Sequence, residues 1–414
     1  MNTTATALST VPFFRPSLGR EETLAVQRVL ESGWLTTGAV AREFEAAFAS
    51  AVGARHAVAL NSATAALHLA VEALGLKAGQ GVIVPTLTFA ATAEVVRYLG
   101  AVPILVDCVP GTLEIDLSDA IEKLERAQAG TVLPGLAPTR VVGMMPVHVG
   151  GLIGDLESVR RFARAFQLWI VEDAAHAFPS AWRHADSGEW VWCGQGTADV
   201  TCFSFYANKT ITTGEGGMAV TDDDSLAERM RLMSLHGLSK DAWERYSGNG
   251  KWDYRIVAPG FKYNLTDVAA AIGLEQLRRA EQLRRARERL AHRYLDRLSG
   301  VEELILPPNP PDRIHAWHLF PVQLRLEKLR IDRNTFIAEL NGRGVGTSVH
   351  WRPLHLHPYY EETFGWTSSQ FPSAGDIWPR LISLPLFPSM TEAEHDYVVG
   401  AVHEICSRNS TSHP

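Results

Sequence analysis

The sequence predicts an α/β fold: a mainly parallel central sheet sandwiched by helices, with a smaller C-terminal α+β domain. Two observations carry this. Short apolar runs of strand length alternate with helical stretches over residues 20–221, and strands separated by helices form parallel sheets covered on both faces. From Asp267 the alternation gives way to a long helical pattern and then to shorter mixed elements. Residues 1–266, including an N-terminal segment, are therefore expected to form the large domain, and 267–414 the smaller one, joined by that helix.

The elements follow in order. Arg20–Ser32 reads as a helix that enters the turn Gly33-Trp34-Leu35-Thr36-Thr37-Gly38, and Ala39–Val52 as a second helix. Ala57–Leu60 is a short strand, after which Asn61-Ser62-Ala63-Thr64 opens a helix over Ala65–Leu74. Val82–Val84 is a strand ended by Pro85, followed by a helix over Phe89–Leu99 and a strand over Pro103–Val106. Val141–Pro146, Leu168–Val171, Val200–Phe205 and Met218–Thr221 add further strands. Val268–Leu298 is read as one long helix, with leucines at 274, 277, 283, 290 and 298. Trp317–Leu324 is expected as a strand, Arg333–Arg343 as a helix and Thr347–Val349 as a strand. The polar ends, Met1–Thr10 and Ser407–Pro414, are expected to fray.

Composition narrows the function classes. With 46% hydrophobic and 21% charged residues over 414 positions, the chain can bury a sizeable core without covalent staples. Its net charge of −7 gives no basic footprint for nucleic acid. The arginines of the long helix interleave with glutamates, which describes a solvated face. Cys108, Cys193, Cys202 and Cys406 form no CxxC pair, so neither a zinc site nor a disulfide framework is expected, and no metal is assigned. The N-terminal stretch lacks the basic and apolar regions of a secretory signal. No apolar run reaches the roughly 20 residues of a membrane helix, so a cytoplasmic location is expected.

The chemistry-bearing residues fall at the carboxyl ends of predicted strands, where open α/β sheets bind ligands. Ser62-Ala63-Thr64 stands at a strand-to-helix junction, where free amides and the helix dipole favour an anion such as phosphate; a plain N-cap is the ordinary alternative. Phe89 occupies another such junction and could lie flat on a heteroaromatic ring, or fill the core. Asp173 follows the Leu168–Val171 strand, with His176 three residues on. Ser204 precedes a glycine-rich loop that carries Lys209. A lysine that can form a Schiff base and an aspartate that can keep a pyridine nitrogen protonated are the two groups pyridoxal 5′-phosphate (PLP) most needs. His176 could donate to the phenolic oxygen of PLP, and Ser204 to its phosphate. Each residue alone has an ordinary reading; their joint order points to one cofactor.

These motifs resemble the DegT/DnrJ/StrS family of PLP-dependent nucleotide-sugar aminotransferases, which have the fold-type-I, aspartate aminotransferase-like architecture. The similarity runs nearly end to end. Its carriers are the Gly33–Gly38 turn, Asn61-Ser62-Ala63-Thr64-Ala65-Ala66-Leu67-His68, Thr88-Phe89-Ala90-Ala91-Thr92, Glu172-Asp173-Ala174-Ala175-His176-Ala177 and Phe203–Gly217. Gly260–Ala270, Trp317-His318, His355–Pro358 and Ser383-Leu384-Pro385-Leu386 extend it. The resemblance implies that Lys209 is catalytic and that residues 1–266 bind PLP. It places Ser62, Ala63, Thr64, Phe89, Asp173, His176 and Ser204 around the cofactor, and Thr36, Thr37, His318 and Tyr359 on the substrate side. Many members carry an asparagine that reaches the PLP phosphate of the other subunit; here Lys262 and Asn264 are both candidates for that role. Ala63 stands where glycine is common, Trp351 where tyrosine is frequent, and no glutamate follows Ala374.

Members that use PLP for sugar deoxygenation carry histidine at the position of Lys209, so the resemblance implies amino transfer. The expected reaction moves an amino group from L-glutamate to a 4-keto-6-deoxy or 3-keto sugar of a nucleotide sugar, in a homodimer with its sites at the interface. A cyclitol ketone as acceptor, or a PLP-dependent sugar dehydratase, are the alternative readings.

Overall fold

The computed structural model describes residues 10–133, 136–238 and 255–412. Its main sheet is built from β1 (His56–Leu60), β2 (Gly81–Pro85), β3 (Val102–Val106), β4 (Val141–Met144), β5 (Trp169–Asp173), β8 (Val200–Ser204) and β9 (Gly217–Thr221). The spatial order is β1-β9-β8-β5-β4-β2-β3. All neighbours from β8 to β3 pair in parallel, while β9 runs antiparallel to both β1 and β8. Strands β2 and β3 are buried at every position, as expected of strands covered on both faces.

A short sheet joins β6 (Ala181–Arg183), β7 (Trp190–Trp192) and β11 (Arg313–Ile314). A third sheet, ordered β10-β12-β13, uses Leu304–Ile305, Phe320–Leu324 and Leu381–Leu384. The helices are α1 (Arg20–Ser32), α2 (Ala39–Val52), α3 (Ala63–Ala73), α4 (Ala91–Tyr98), α5 (Leu117–Gln128), α6 (Leu156–Phe166), α7 (Asp224–Ser234), α8 (Asp267–Arg278), α9 (Ala280–Leu298), α10 (Arg333–Gly342), α11 (Pro358–Phe364), α12 (Pro372–Ile377) and α13 (Glu392–Asn409).

The three largest apolar clusters among the described residues support this frame. The largest surrounds β2, β3 and β4 with α3, and also takes in Tyr360, Trp366 and Phe371. On the α2 side, Phe48 packs against Phe178, Phe203 and Phe205 with centroids 4.7, 5.1 and 5.3 Å away. The third cluster joins β12 and β13 to α9, α10 and α13 and includes Val11.

Several sequence expectations are corrected. The helix expected over 268–298 is two helices, broken at Arg279 (φ −106°, ψ 3°). The break falls where Gln276 Nε2 and Arg279 Nη2 donate to Ser17 O at 2.9 and 3.0 Å. A single-residue break leaves the apolar repeat almost in phase, so the pattern alone does not show it. The strand expected over Trp317–Leu324 begins only at Phe320, because Trp317 takes a left-handed turn (φ 49°). Thr347–Val349 forms no strand; nearby pairing is limited to isolated bridges at Val345 and Ser348. At the C-terminal end the helix continues through Ser407 to Asn409, and Ser410 is buried. The fraying expected over residues 1–9 lies outside the described residues.

Candidate active site

Every parallel strand that contributes to the site does so from its carboxyl end. A cavity of ≈ 340 Å³ opens there, lined by Ser62, Ala63 and Thr64 after β1, Phe89 after β2, Asp173 and His176 at and after β5, and Ser204 and Lys209 at and after β8. Eight of the nine residues assigned to the cofactor from sequence thus share one cavity of small-molecule size. The ninth, Asn264, does not line it.

The β1–α3 junction is built for an anion. Ser62 is the N-cap of α3, its Oγ accepting from the Ala65 N–H at 3.0 Å. The Ala63 and Thr64 amides, in the first turn, have no acceptor within the helix. Gly217 makes room for this turn: a Cβ there would lie 2.4 Å from the Ser62 carbonyl and 2.5 Å from the Ala63 nitrogen. Ser204 and Leu60 pair with Gly217 from opposite sides.

Asp173 is held rather than free. Its Oδ2 accepts from Thr92 Oγ1 at 2.7 Å and its Oδ1 from the Ala175 N–H at 3.1 Å. Burial raises its pKa, opposed by these two donors and by the Lys209 charge. Behind it, Glu172 Oε2 accepts from Thr197 and Thr201 at 2.8 and 3.1 Å and lies 3.6 Å from His148 Nε2. The peptide of His148 is tied to the Asp173 carbonyl at 3.2 Å.

His176 is kept neutral. Burial pushes its pKa well below the ordinary histidine value, and the Lys209 and His350 charges add to this. Its Nδ1 accepts from the Gly150 N–H at 3.2 Å, which assigns the ring proton to Nε2 and makes Nε2 a donor. The ring is gripped between Trp351, stacked at 4.9 Å, and His318 at 4.3 Å.

Lys209 follows β8 in a turn closed by its N–H to the Tyr206 carbonyl at 2.9 Å. Its amine pKa is lowered to about 7, first by burial and further by the Arg287 charge, against the opposing pull of Asp173. A large share of this lysine is therefore neutral at physiological pH, as a base or nucleophile requires.

The substrate-side residues lie elsewhere. Thr36 and Thr37 belong to the turn that caps α2: the Thr36 carbonyl accepts from the Asp267 N–H at 3.2 Å, and Thr37 Oγ1 donates to the Leu265 carbonyl. Asn264 bridges this turn to Lys262, donating to Thr37 Oγ1 at 2.6 Å and accepting from Lys262 Nζ at 2.5 Å. Tyr359 is exposed, with its hydroxyl 3.2 Å from Arg97 Nε. His318 is buried behind His176.

Sequence reasoning missed Thr92, Tyr206, Asn208 and His350, and did not place Trp351 in the cavity wall. Thr92 was within reach of the pattern, one helical turn beyond Thr88 in the same motif. His350 and Trp351 enter from more than 140 positions after Lys209, which no local pattern reports.

The donor set fits PLP. It offers an amine, a carboxylate able to face a protonated ring nitrogen, a neutral imidazole donor, and a helix start with hydroxyls for a phosphate. Phe89, 59% exposed although apolar, offers an uncovered aromatic face.

Comparison with known proteins agrees. The sequence pattern of the DegT/DnrJ/EryC1/StrS aminotransferase family matches residues 16–403. The chain is 42% identical over 396 residues to the spore coat polysaccharide biosynthesis protein SpsC of Bacillus subtilis, covering 95% of this chain and 97% of that one. Among solved structures, the putative sugar aminotransferase Spr1654 of Streptococcus pneumoniae in its PMP form superposes with a TM-score of 0.85 at 29% identity, covering 96% and 100% of the two chains. The same protein has also been solved in a PLP form. DesV of S. venezuelae, in complex with a ketimine intermediate, superposes with a TM-score of 0.82 at 30% identity over 96% and 99% of the chains. The chain belongs to the DegT/DnrJ/EryC1/StrS aminotransferase family and is a PLP-dependent aminotransferase.

Proposed function

We propose that this enzyme moves an amino group from L-glutamate to a keto sugar carried on a nucleotide, a 4-keto-6-deoxy or a 3-keto sugar, in the biosynthesis of amino sugars for surface glycans or secondary metabolites. The observation that carries the reading is the shared cavity of Lys209 and Asp173. Family membership supports a sugar acceptor, and the name of SpsC points to polysaccharide biosynthesis. The donor and the nucleotide handle follow from the family resemblance alone.

The residues divide the work. Ser62, Thr64 and Ser204, with the start of α3, would hold the PLP phosphate, Phe89 the ring face, Asp173 the ring nitrogen and His176 the ring oxygen. Bound there, PLP withdraws electrons from the carbon that loses or gains a proton. Lys209 Nζ, as a neutral amine, takes that proton on one side and returns it on the other. The Thr92 hydroxyl and the Ala175 amide favour the charged form of Asp173, against the burial that raises its pKa. Trp351 and His318 fix the His176 ring so that Nε2 stays a donor.

Two subunits are proposed to pair symmetrically, with Asn264 or Lys262 of each reaching toward the other's phosphate site. Light scattering then gives twice the 45.5 kDa chain mass. Among the described residues no helix is long and apolar enough to cross a membrane, and a cytoplasmic site of action is part of the proposal.

The deciding experiment supplies purified, PLP-loaded protein with L-glutamate and a panel of nucleotide-linked 3-keto and 4-keto sugars. Release of 2-oxoglutarate with one acceptor is expected. No release with any of them, while a keto cyclitol is aminated, overturns the acceptor assignment.

A further inference from the structure

Arg287 of α9 is a buried guanidinium without a counter-ion among the described residues. Its Nη1 donates to three backbone carbonyls, Leu386 O at 2.7 Å, His318 O at 3.2 Å and Trp317 O at 3.4 Å. Its Nε has no partner. Its neighbours on the helix are spoken for: Arg284 pairs with Glu281 and Glu288 at 2.8 and 2.7 Å. No carboxylate pairs with Arg287 among the described residues, and burial alone holds its pKa down, at about 10. It therefore stays cationic at neutral pH. A bare cation in a low-dielectric interior is costly, and carbonyl acceptors meet its hydrogen bonds without cancelling its charge.

What it holds is the turn that presents His318. Trp317 is in the left-handed region (φ 49°), and the turn is tied on its other side through Ala316 N–H to Gly151 O at 3.0 Å and Leu319 N–H to Gly150 O at 3.1 Å. His318 has no hydrogen bond at either ring nitrogen and lies 4.3 Å from the His176 ring. The charge of Arg287 acts on both Lys209 and His318.

We propose that Arg287 is a positioning residue for the aminotransferase reaction: its guanidinium, bonded to the Trp317, His318 and Leu386 carbonyls, fixes the His318 turn against His176 and sets a fixed positive charge behind the cavity that His176 shares with Lys209. A second cation near a lysine is an established way to activate its amine. The groups facing Lys209 are Asp173, His176, His318, His350 and Glu215. Burial holds His176 and His318 far below the ordinary histidine value and His350 at about 4. All three rings are thus uncharged at neutral pH, and Arg287 is the cation that acts on Lys209 against Asp173.

The inference rests on Lys209 being the reactive amine of the proposed function, which loss of multiple-turnover transamination in Lys209→Ala tests separately. The test uses the full chain stripped of PLP. Lys209 is acylated by an amine-selective reagent across a pH series, and its peptide is quantified by mass spectrometry. Arg287→Gln keeps donors for the carbonyls and removes the charge; Arg287→Lys keeps the charge with a simpler donor. Arg287→Gln is expected to raise the Lys209 midpoint by about one pH unit, lowering its reactivity at neutral pH about fivefold, while Arg287→Lys stays near the unsubstituted value. Arg287→Met gives a second neutral replacement should Arg287→Gln fail to fold. An unchanged midpoint in a folded neutral variant overturns the proposal. So does an ordinary lysine midpoint in the unsubstituted chain, which needs no variant at all.

Discussion

Among the described residues Lys123 is buried and Lys209 half-buried in the cavity wall, and the two are treated in opposite ways. Lys123 on α5 is satisfied from every side: Nζ meets Asp119 Oδ2 at 2.6 Å and the Gln370 carbonyl at 3.0 Å, and lies 3.8 Å from the Phe371 ring centroid. Burial still lowers its pKa, but the Asp119 carboxylate works to keep it charged. Lys209 has no hydrogen-bond acceptor for its amine among the described residues, feels Asp173 only through space, and has Arg287 as a second cation. The contrast separates a lysine that holds structure from one poised for chemistry. Burial alone does not make a lysine reactive; burial with an incomplete set of partners does.

The largest expected effect breaks the reactive side. Lys209→Ala should lower multiple-turnover transamination by at least about a thousandfold while leaving the unfolding transition nearly intact. Steady-state glutamate turnover, read beside denaturant unfolding, checks both halves. The mirror experiment is Lys123→Met, which strands Asp119 in a buried site. It should cost about 3 kcal/mol of stability with turnover per folded molecule unchanged. A Lys123→Met chain that unfolds normally but has lost turnover would erase the distinction between the two lysines.

A smaller effect concerns the grip on Asp173. Thr92→Val removes the hydroxyl that bonds Oδ2 at 2.7 Å, and a hydrogen bond to a charged group contributes about 1.5–3 kcal/mol. PLP affinity, measured by cofactor titration, should weaken about tenfold or more. The last effect is a pH slope. The folded-state pKa of Lys209 is depressed to about 7, whereas an unfolded lysine titrates near about 10.4. Between these values the unfolded chain binds more protons, so the PLP-free enzyme gains stability as pH rises through that window. Lys209→Met should flatten this gain in unfolding midpoints taken across the window; an unchanged slope would mean that some other group causes it.

Much of the site could be read from the sequence because it is made of strand ends. Ser62, Phe89, Asp173, Ser204 and Lys209 each sit at a junction between an apolar run and a polar segment, and a parallel sheet brings such junctions to one edge. The long helices α1 and α2 were legible to the residue for a similar reason, each closed by a left-handed glycine, Gly33 and Gly53. The wall opposite Lys209 was not legible. His350 and Trp351 reach it from the C-terminal third of the chain, through backbone that is neither strand nor turn of recognisable type at 350–351, and Arg287 lies behind it on a helix most of whose arginines are less buried. Arg287 looks like its neighbours in sequence; Arg284 is buried too but pairs with Glu281 and Glu288, whereas Arg287 meets backbone carbonyls. Strands β10 and β11, two residues each, are too short to carry a period.

Strand β9 has a consequence for reading related sequences. It threads between the strand that leads to Ser62 and the strand that leads to Lys209, and its first residue is a glycine in backbone contact with the anion turn. Position 217 is thus a vacancy shared by the two halves of the catalytic apparatus. In a homologue, any side chain there would displace the Ser62–Ala63 peptide before touching a single residue credited with chemistry. A relative that keeps the lysine and the aspartate but fills this position would have to rebuild the Ser62–Ala63 turn, the proposed phosphate handle.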